Sequence, residues 1–133
     1  MLSHITIGTN RLEEAVAYYD AVLATLGIAR TNFDSKYRYA RYAREGESFA
    51  FFICAPFDGE QASVGNGTHI AFAAPDATCV DAFHAAAVGA GGTDEGAPGP
   101  RPHYHAHYYG AYVRDLDGNK LQACFQAYEA PGS

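Results

Sequence analysis

His4-Ile5-Thr6-Ile7 opens the chain, and His69-Ile70-Ala71-Phe72 repeats its pattern 65 positions later. At the same offset Ala17 aligns with Ala82, Tyr18 with Phe83, Ala21 with Ala86 and Gly27 with Gly92. Each copy reads as a short strand led by a histidine, then a helix, then a glycine. Such a duplication within 133 residues predicts two like modules packed about a pseudo-two-fold axis, with a site where they meet.

After the first strand, Asn10 is placed to cap a helix, and Glu13 completes a capping-box pattern. Leu12, Ala15, Val16, Tyr19, Val22, Leu23 and Leu26 recur at helical spacing, and Gly27 ends the run. Strands follow at 28–33, 36–43 and 48–54, with Glu45-Gly46-Glu47 as the turn between the last two. The glycine-containing stretch 57–66 is the expected linker between module 1 (1–56) and module 2 (67–133) of a single domain. Module 2 repeats the plan. A strand at 68–74 leads to a helix begun by Pro75-Asp76 and stopped by Gly89, Gly91 and Gly92. After a weak strand near Thr93, the segment 96–102 must be a loop or a sheet edge, because its prolines cannot donate to a ladder. A final hairpin, 108–114 and 119–126, turns at Asp115-Leu116-Asp117-Gly118. The expected class is α+β, two βαβββ modules with curved mixed sheets around a cleft.

Composition narrows the function. The net charge of −6 without a Lys/Arg run argues against nucleic acid or an acidic membrane as partner. No apolar stretch reaches membrane-spanning length, and the expected location is the cytoplasm. Cys54, Cys79 and Cys124 are odd in number and form no CxxC pair, so reduced, mostly buried thiols are expected. Ten tyrosines and eight phenylalanines without a tryptophan supply core, interface and the walls of a pocket.

Strand alternation sorts the candidate site residues. With Ile5 and Ile7 on one face, His4 and Thr6 share the other. With Ile70 and Phe72 inward, His69 stands opposite. With Leu121, Ala123 and Phe125 inward, Gln122, Cys124 and Gln126 stand opposite. His4, His69 and Gln122 are thus expected to converge on a polar cleft. His103, His105 and His107 would share one face if extended, but Pro100 and Pro102 favour a loop over the cleft rim, where a histidine could contact a ligand. The runs Tyr37, Tyr39, Tyr42 and Tyr108, Tyr109, Tyr112 are either core or an aromatic wall with hydroxyl donors. The candidate ligand contacts are Thr6, Tyr39, Phe52, His105, His107 and Cys124.

With His4-Ile-Thr-Ile, the helix from Leu12 to Tyr19 with its Gly27, Gly67-Thr-His-Ile-Ala-Phe and the Asp115-Leu-Asp-Gly-Asn hairpin in that order, the chain resembles the vicinal-oxygen-chelate superfamily. That superfamily includes glyoxalase I, extradiol dioxygenases and bleomycin- or fosfomycin-resistance proteins. The resemblance implies a divalent metal (Zn, Ni, Fe or Mn) on the first and last strands of each module. Those positions fall on His4, His69 and Gln122, and near Phe52. Both carboxylates of the family pattern are missing, which removes the base that glyoxalase I needs. The resemblance implies a protein that binds or transforms a small oxygen-rich metabolite, as a lyase, isomerase or dioxygenase if it is an enzyme. The alternative is a metal-free, drug-binding protein of the resistance type. A homodimer is expected, because exposed aromatic sheet positions and open strand edges need cover.

Overall fold

The computed structural model describes residues 1–132. Its elements run β1 (His4–Gly8), α1 (Leu12–Ala24), β2 (Ile28–Asp34), β3 (Tyr39–Arg44), β4 (Ala50–Cys54), β5 (His69–Ala73), α2 (Ala77–Gly89), β6 (Thr93–Pro100), β7 (Tyr109–Arg114) and β8 (Lys120–Phe125). They form two four-stranded sheets, ordered β1-β4-β3-β2 and β5-β8-β7-β6. In each sheet the first strand pairs parallel with the last, and the other pairs are antiparallel. This is the βαβββ plan twice, as the repeat predicts. No helix of the described residues is long and apolar enough to cross a membrane.

The helices form for the expected reason, and α2 starts where expected, but α1 starts differently. Leu12, Ala15, Tyr19, Val22 and Leu23 are buried along α1, and Val80, Phe83 and Ala87 along α2. Full burial of a Leu or Phe side chain contributes roughly 1.5–3 kcal/mol, so these stripes hold helix to sheet. Asp76 caps α2 by accepting from the Cys79 N–H at 2.8 Å. The expected Asn10 cap of α1 is not formed: Arg11 is the N-cap residue and makes no side-chain cap bond. Asn10 instead exchanges two hydrogen bonds with Ala62 of the linker, at 2.7 and 3.2 Å. Two bonds to a passing backbone outweigh the single bond that a cap provides. Gly27 leaves α1 at φ +73°, where a side chain would be strained.

The two modules share one core. Phe51, on the α1 side of β4, meets Phe72, on the α2 side of β5, edge-on at 5.2 Å. The pseudo-symmetry extends to polar ties. The Asn119 amide donates to the Gly8 carbonyl at 3.4 Å, and the Arg44 guanidinium donates to the Ala73 carbonyl at 2.9 Å. Gly8 and Ala73 are equivalent at the repeat offset, so each module's last turn grips the end of the other's first strand. The Asp-x-Asp-Gly-Asn turn goes further. Asp115 accepts from the Tyr19 hydroxyl of α1 at 2.5 Å, while Asp117 accepts from the Thr9 hydroxyl at 2.5 Å and the Asn10 N–H at 2.9 Å. Because the helix-side faces of both sheets enclose this common core, their other faces open away from it.

Candidate functional site

The open faces carry the chemistry, and the ladder register decides who stands beside whom. In sheet 1, His4 pairs with Ala50, Thr6 with Phe52 and Gly8 with Cys54. In sheet 2, the equivalent pairs are His69 with Lys120, Ala71 with Gln122 and Ala73 with Cys124. Phe52 and Gln122 therefore occupy matching places, and so do Cys54 and Cys124. His4 and Thr6 are exposed while Ile5 and Ile7 turn inward, as alternation requires.

On sheet 1, the His4 ring lies edge-on to Phe52 at 5.3 Å, and Tyr39 lies 5.9 Å from the same ring. Ser3 Oγ bonds His4 Nδ1 at 2.9 Å. Arg41 reaches across to the Thr31 hydroxyl at 2.8 Å. Thr6 and Cys54 border a groove beneath the linker, beside Pro56, Asp58 and Gln61. Tyr42 does not belong to this wall. Its side chain points into the core, where its hydroxyl donates to Asp20 at 2.9 Å, because its neighbours Arg41 and Ala43 take the open face.

Sheet 2 is more built. The segment 101–108 is a series of turns folded over the open face, held by hydrogen bonds from the Arg101 N–H to the Tyr108 carbonyl at 2.8 Å and from the Tyr104 N–H to the Arg101 carbonyl at 2.9 Å. This covers Gln122, which is 2% exposed, and its amide oxygen accepts the Tyr108 hydroxyl. The hydroxyls of Tyr104 and Tyr112 bond each other at 2.9 Å, and the Tyr104 ring stands edge-on to Tyr108 at 4.8 Å. Burial raises the pKa values of Tyr108 and Tyr112, and the bond to the Tyr104 hydroxyl adds to it for Tyr112, which reaches about 12. Because Tyr108 donates to Gln122 and one of Tyr104 and Tyr112 donates to the other, one hydroxyl proton of the three is left to donate outward. His69 lies edge-on to Tyr112 at 5.7 Å, and the Lys120 ammonium sits 5.0 Å from the same ring centroid.

The loop separates the three neighbouring histidines. His103 stacks on Tyr104 at 4.4 Å. His105 accepts the His107 N–H at Nδ1, so Nε2 carries the proton and donates to the Gln126 amide oxygen at 3.1 Å. His107 Nδ1 donates to the Tyr128 carbonyl at 3.0 Å. The turns closed by the Tyr104 N–H to Arg101 carbonyl and Tyr108 N–H to His105 carbonyl bonds replace the extended run in which all three would share a face. Cys124 is buried beside this cluster, and burial raises the Cys54 thiol, which is therefore not an activated nucleophile.

Gln122 is thus brought together with Tyr108 and Cys124, and His105 with Gln126 and Tyr108. His4 and His69 stand on different open faces of one chain, and no cavity among the described residues is lined by both. A cavity of about 170 Å³ between the modules is lined by Tyr42, Arg44, Phe49, Phe51 and Phe72 and by none of the expected metal ligands or ligand contacts. A divalent cation does not fit the donors of a single chain. The Gln122 oxygen is already engaged, Phe52 offers no donor, and no three His, Cys, Asp or Glu side chains of the described residues group as a first shell. Sequence reading missed Tyr104, Lys120 and Arg101 as parts of this site. Lys120 was accessible to alternation, being two residues before Gln122; the other two depend on how the loop folds.

Residues 1–123 match the family model described as the Glyoxalase/Bleomycin resistance protein/Dioxygenase superfamily. A glyoxalase/bleomycin resistance protein from Albidiferax ferrireducens T118 is 40% identical, with 94% of this chain and 98% of that chain covered and a TM-score of 0.84. A glyoxalase-related enzyme from Fulvimarina pelagi is 21% identical over 94% and 87% of the two chains, with a TM-score of 0.72. TnmS3, an antibiotic binding protein from Streptomyces sp. CB03234, shares the fold at 17% identity over 95% of each chain, with a TM-score of 0.65. No curated protein matches the chain.

Proposed function

The chain belongs to the Glyoxalase/Bleomycin resistance protein/Dioxygenase superfamily, and within it we propose a binding protein for small planar molecules that works without a metal, in the manner of the resistance proteins. One observation carries this reading: the position at which metal-binding members place a carboxylate holds Gln122, whose amide oxygen is occupied by the Tyr108 hydroxyl under a loop of aromatic rings. A tyrosine platform binds flat ligands by stacking and by hydroxyl donation to their oxygens. The fold shared with an antibiotic binding protein is consistent with it. Metal analysis of protein prepared without an affinity tag, joined to ligand titration in chelator, tests the reading. Binding that persists in chelator supports it, and binding that appears only after metal is added sinks it.

We also infer a homodimer in which the open face of sheet 1 in one chain meets that of sheet 2 in the other. Within one chain the two faces look away from a common core, and Leu2, Phe57, Val64 and Tyr104 remain exposed. Covering such apolar area is favourable. The second reading depends on this assembly. His4 and His69 are exposed at equivalent places, and a dimer could bring one from each chain to a shared cation, giving a metal-dependent lyase, isomerase or dioxygenase. Even then no carboxylate stands at either last-strand position, so true glyoxalase I chemistry is not supported.

A further inference from the structure

We infer that the platform on sheet 2 recognises an anionic group on its planar ligand, with the Lys120 ammonium as counter-ion and Arg101 on its flank. This rests on the proposed reading of the open faces as a small-molecule site and adds the charge of the ligand.

The chain has nine Lys and Arg side chains against fifteen Asp and Glu, so an unpaired cation is not forced by any shortage of carboxylates. Five of the nine are in ion pairs: Arg11, Arg30, Arg38, Arg44 and Arg114. Among the described residues the other four have no carboxylate within 4.0 Å. Lys36 lies in an exposed turn, against the Tyr37 ring at 5.1 Å. The remaining three, Arg41, Arg101 and Lys120, stand on or beside the open faces. In an acidic chain this distribution concentrates positive charge where the aromatic rings and hydroxyls are.

Geometry places Lys120 at the Tyr112 ring. Lys120 Nζ sits 5.0 Å from the Tyr112 centroid and shares a small recess with His69. On the β6 side, Arg101 Nη2 and Tyr112 Cδ2 both border Gly96, each 3.4 Å from where a Cβ would stand. The donors of Arg101 go to the carbonyls of Ala97 and Gly99, which fix its position and leave its charge uncompensated. The carboxylates at the rims are engaged. Glu95 pairs with Arg114 at 2.8 Å, and Asp34 accepts two backbone N–H groups of the β2–β3 turn. A carboxylate, sulfonate or phenolate would find the Lys120 ammonium and the one free proton of the Tyr104–Tyr112 hydroxyl pair, with Arg101 nearby and ring faces beside it for its aromatic part.

A matched pair of fluorescent probes tests this. One is 1-anilinonaphthalene-8-sulfonate, and the other is N-phenyl-1-naphthylamine, the same framework without the sulfonate. The wild-type protein should bind the sulfonate about tenfold more tightly, and added salt should erode that preference. Lys120→Gln should weaken the sulfonate about fivefold and leave the neutral probe unchanged, and Lys120→Arg should restore it, with circular dichroism melts reporting that each variant folds. Equal saturable binding of both probes, or an unchanged sulfonate affinity in Lys120→Gln, keeps the open face as a ligand site and overturns its charge preference. Absence of saturable binding by either probe removes both.

Discussion

Asp115→Ala removes the polar bolt between the modules, and the structure sets its cost. Asp115 is 6% exposed. Its carboxylate accepts from the Tyr19 hydroxyl at 2.5 Å, from the N–H groups of Asp117 and Asn119 at 2.9 Å each, and from the Asn119 amide at 3.0 Å. Truncation leaves a buried tyrosine hydroxyl and two turn N–H groups without an acceptor. Deleting a buried, hydrogen-bonded charge of this kind costs roughly 3–5 kcal/mol. For a domain of this size that lowers the melting temperature by about 10–20 °C. Tyr19→Phe removes only one donor and keeps the ring in the core, so its cost is about 1–2 kcal/mol. Because both side chains serve one bond, the double variant should fall short of the summed single effects by about 1–2 kcal/mol. Urea unfolding of the four proteins, followed by circular dichroism, measures all three quantities. A loss below about 1 kcal/mol for Asp115→Ala, or strict additivity in the cycle, would refute the idea that this turn locks the modules together.

Three further outcomes follow from the geometry. Gln122→Glu should tighten Ni²⁺ or Zn²⁺ binding only if the two-histidine reading holds; on the metal-free reading, calorimetry shows no gain, because Tyr108 still occupies the oxygen. At high pH the raised tyrosines govern stability. Burial lifts Tyr19 well above its ordinary value of 10.0, and burial with the Asp81 bond lifts Tyr109 to about 12. The unfolded chain therefore releases these protons first, so stability is intact below pH 10 and declines as pH rises through 12 and beyond. Denaturant midpoints measured alongside tyrosinate absorbance check the sign; a stability that increases above pH 10 contradicts it. Light scattering at micromolar protein should give twice the chain mass, and ligand affinity should fall with dilution through the dimer equilibrium. A monomer mass rules out the paired-face assembly.

The register of the site was legible from the chain, because strand alternation and a fixed repeat offset are local properties. His4, His69, Gln122 and Lys120 lie on the faces that a period of two assigns them, and the same arithmetic makes Phe52 the partner position of Gln122. The helical stripes and the Asp-Gly turn were equally local. What the sequence could not determine depends on contacts between distant residues. Asn10 has the chemistry of a cap, yet Ala62 lies close enough to take it. Tyr42 stands three residues from Tyr39, so alternation already sets it on the opposite face, but only the fold supplies its partner Asp20. Gln122 is polar, yet a loop drawn over it by Arg101 and His105 buries it and gives its oxygen to Tyr108. Two like modules in one chain can face their open sheets inward or outward with the same local pattern. The shared core, in which Phe51 meets Phe72 and Asp115 meets Tyr19, turns them outward, since buried apolar area and satisfied charge are gained only when specific faces touch.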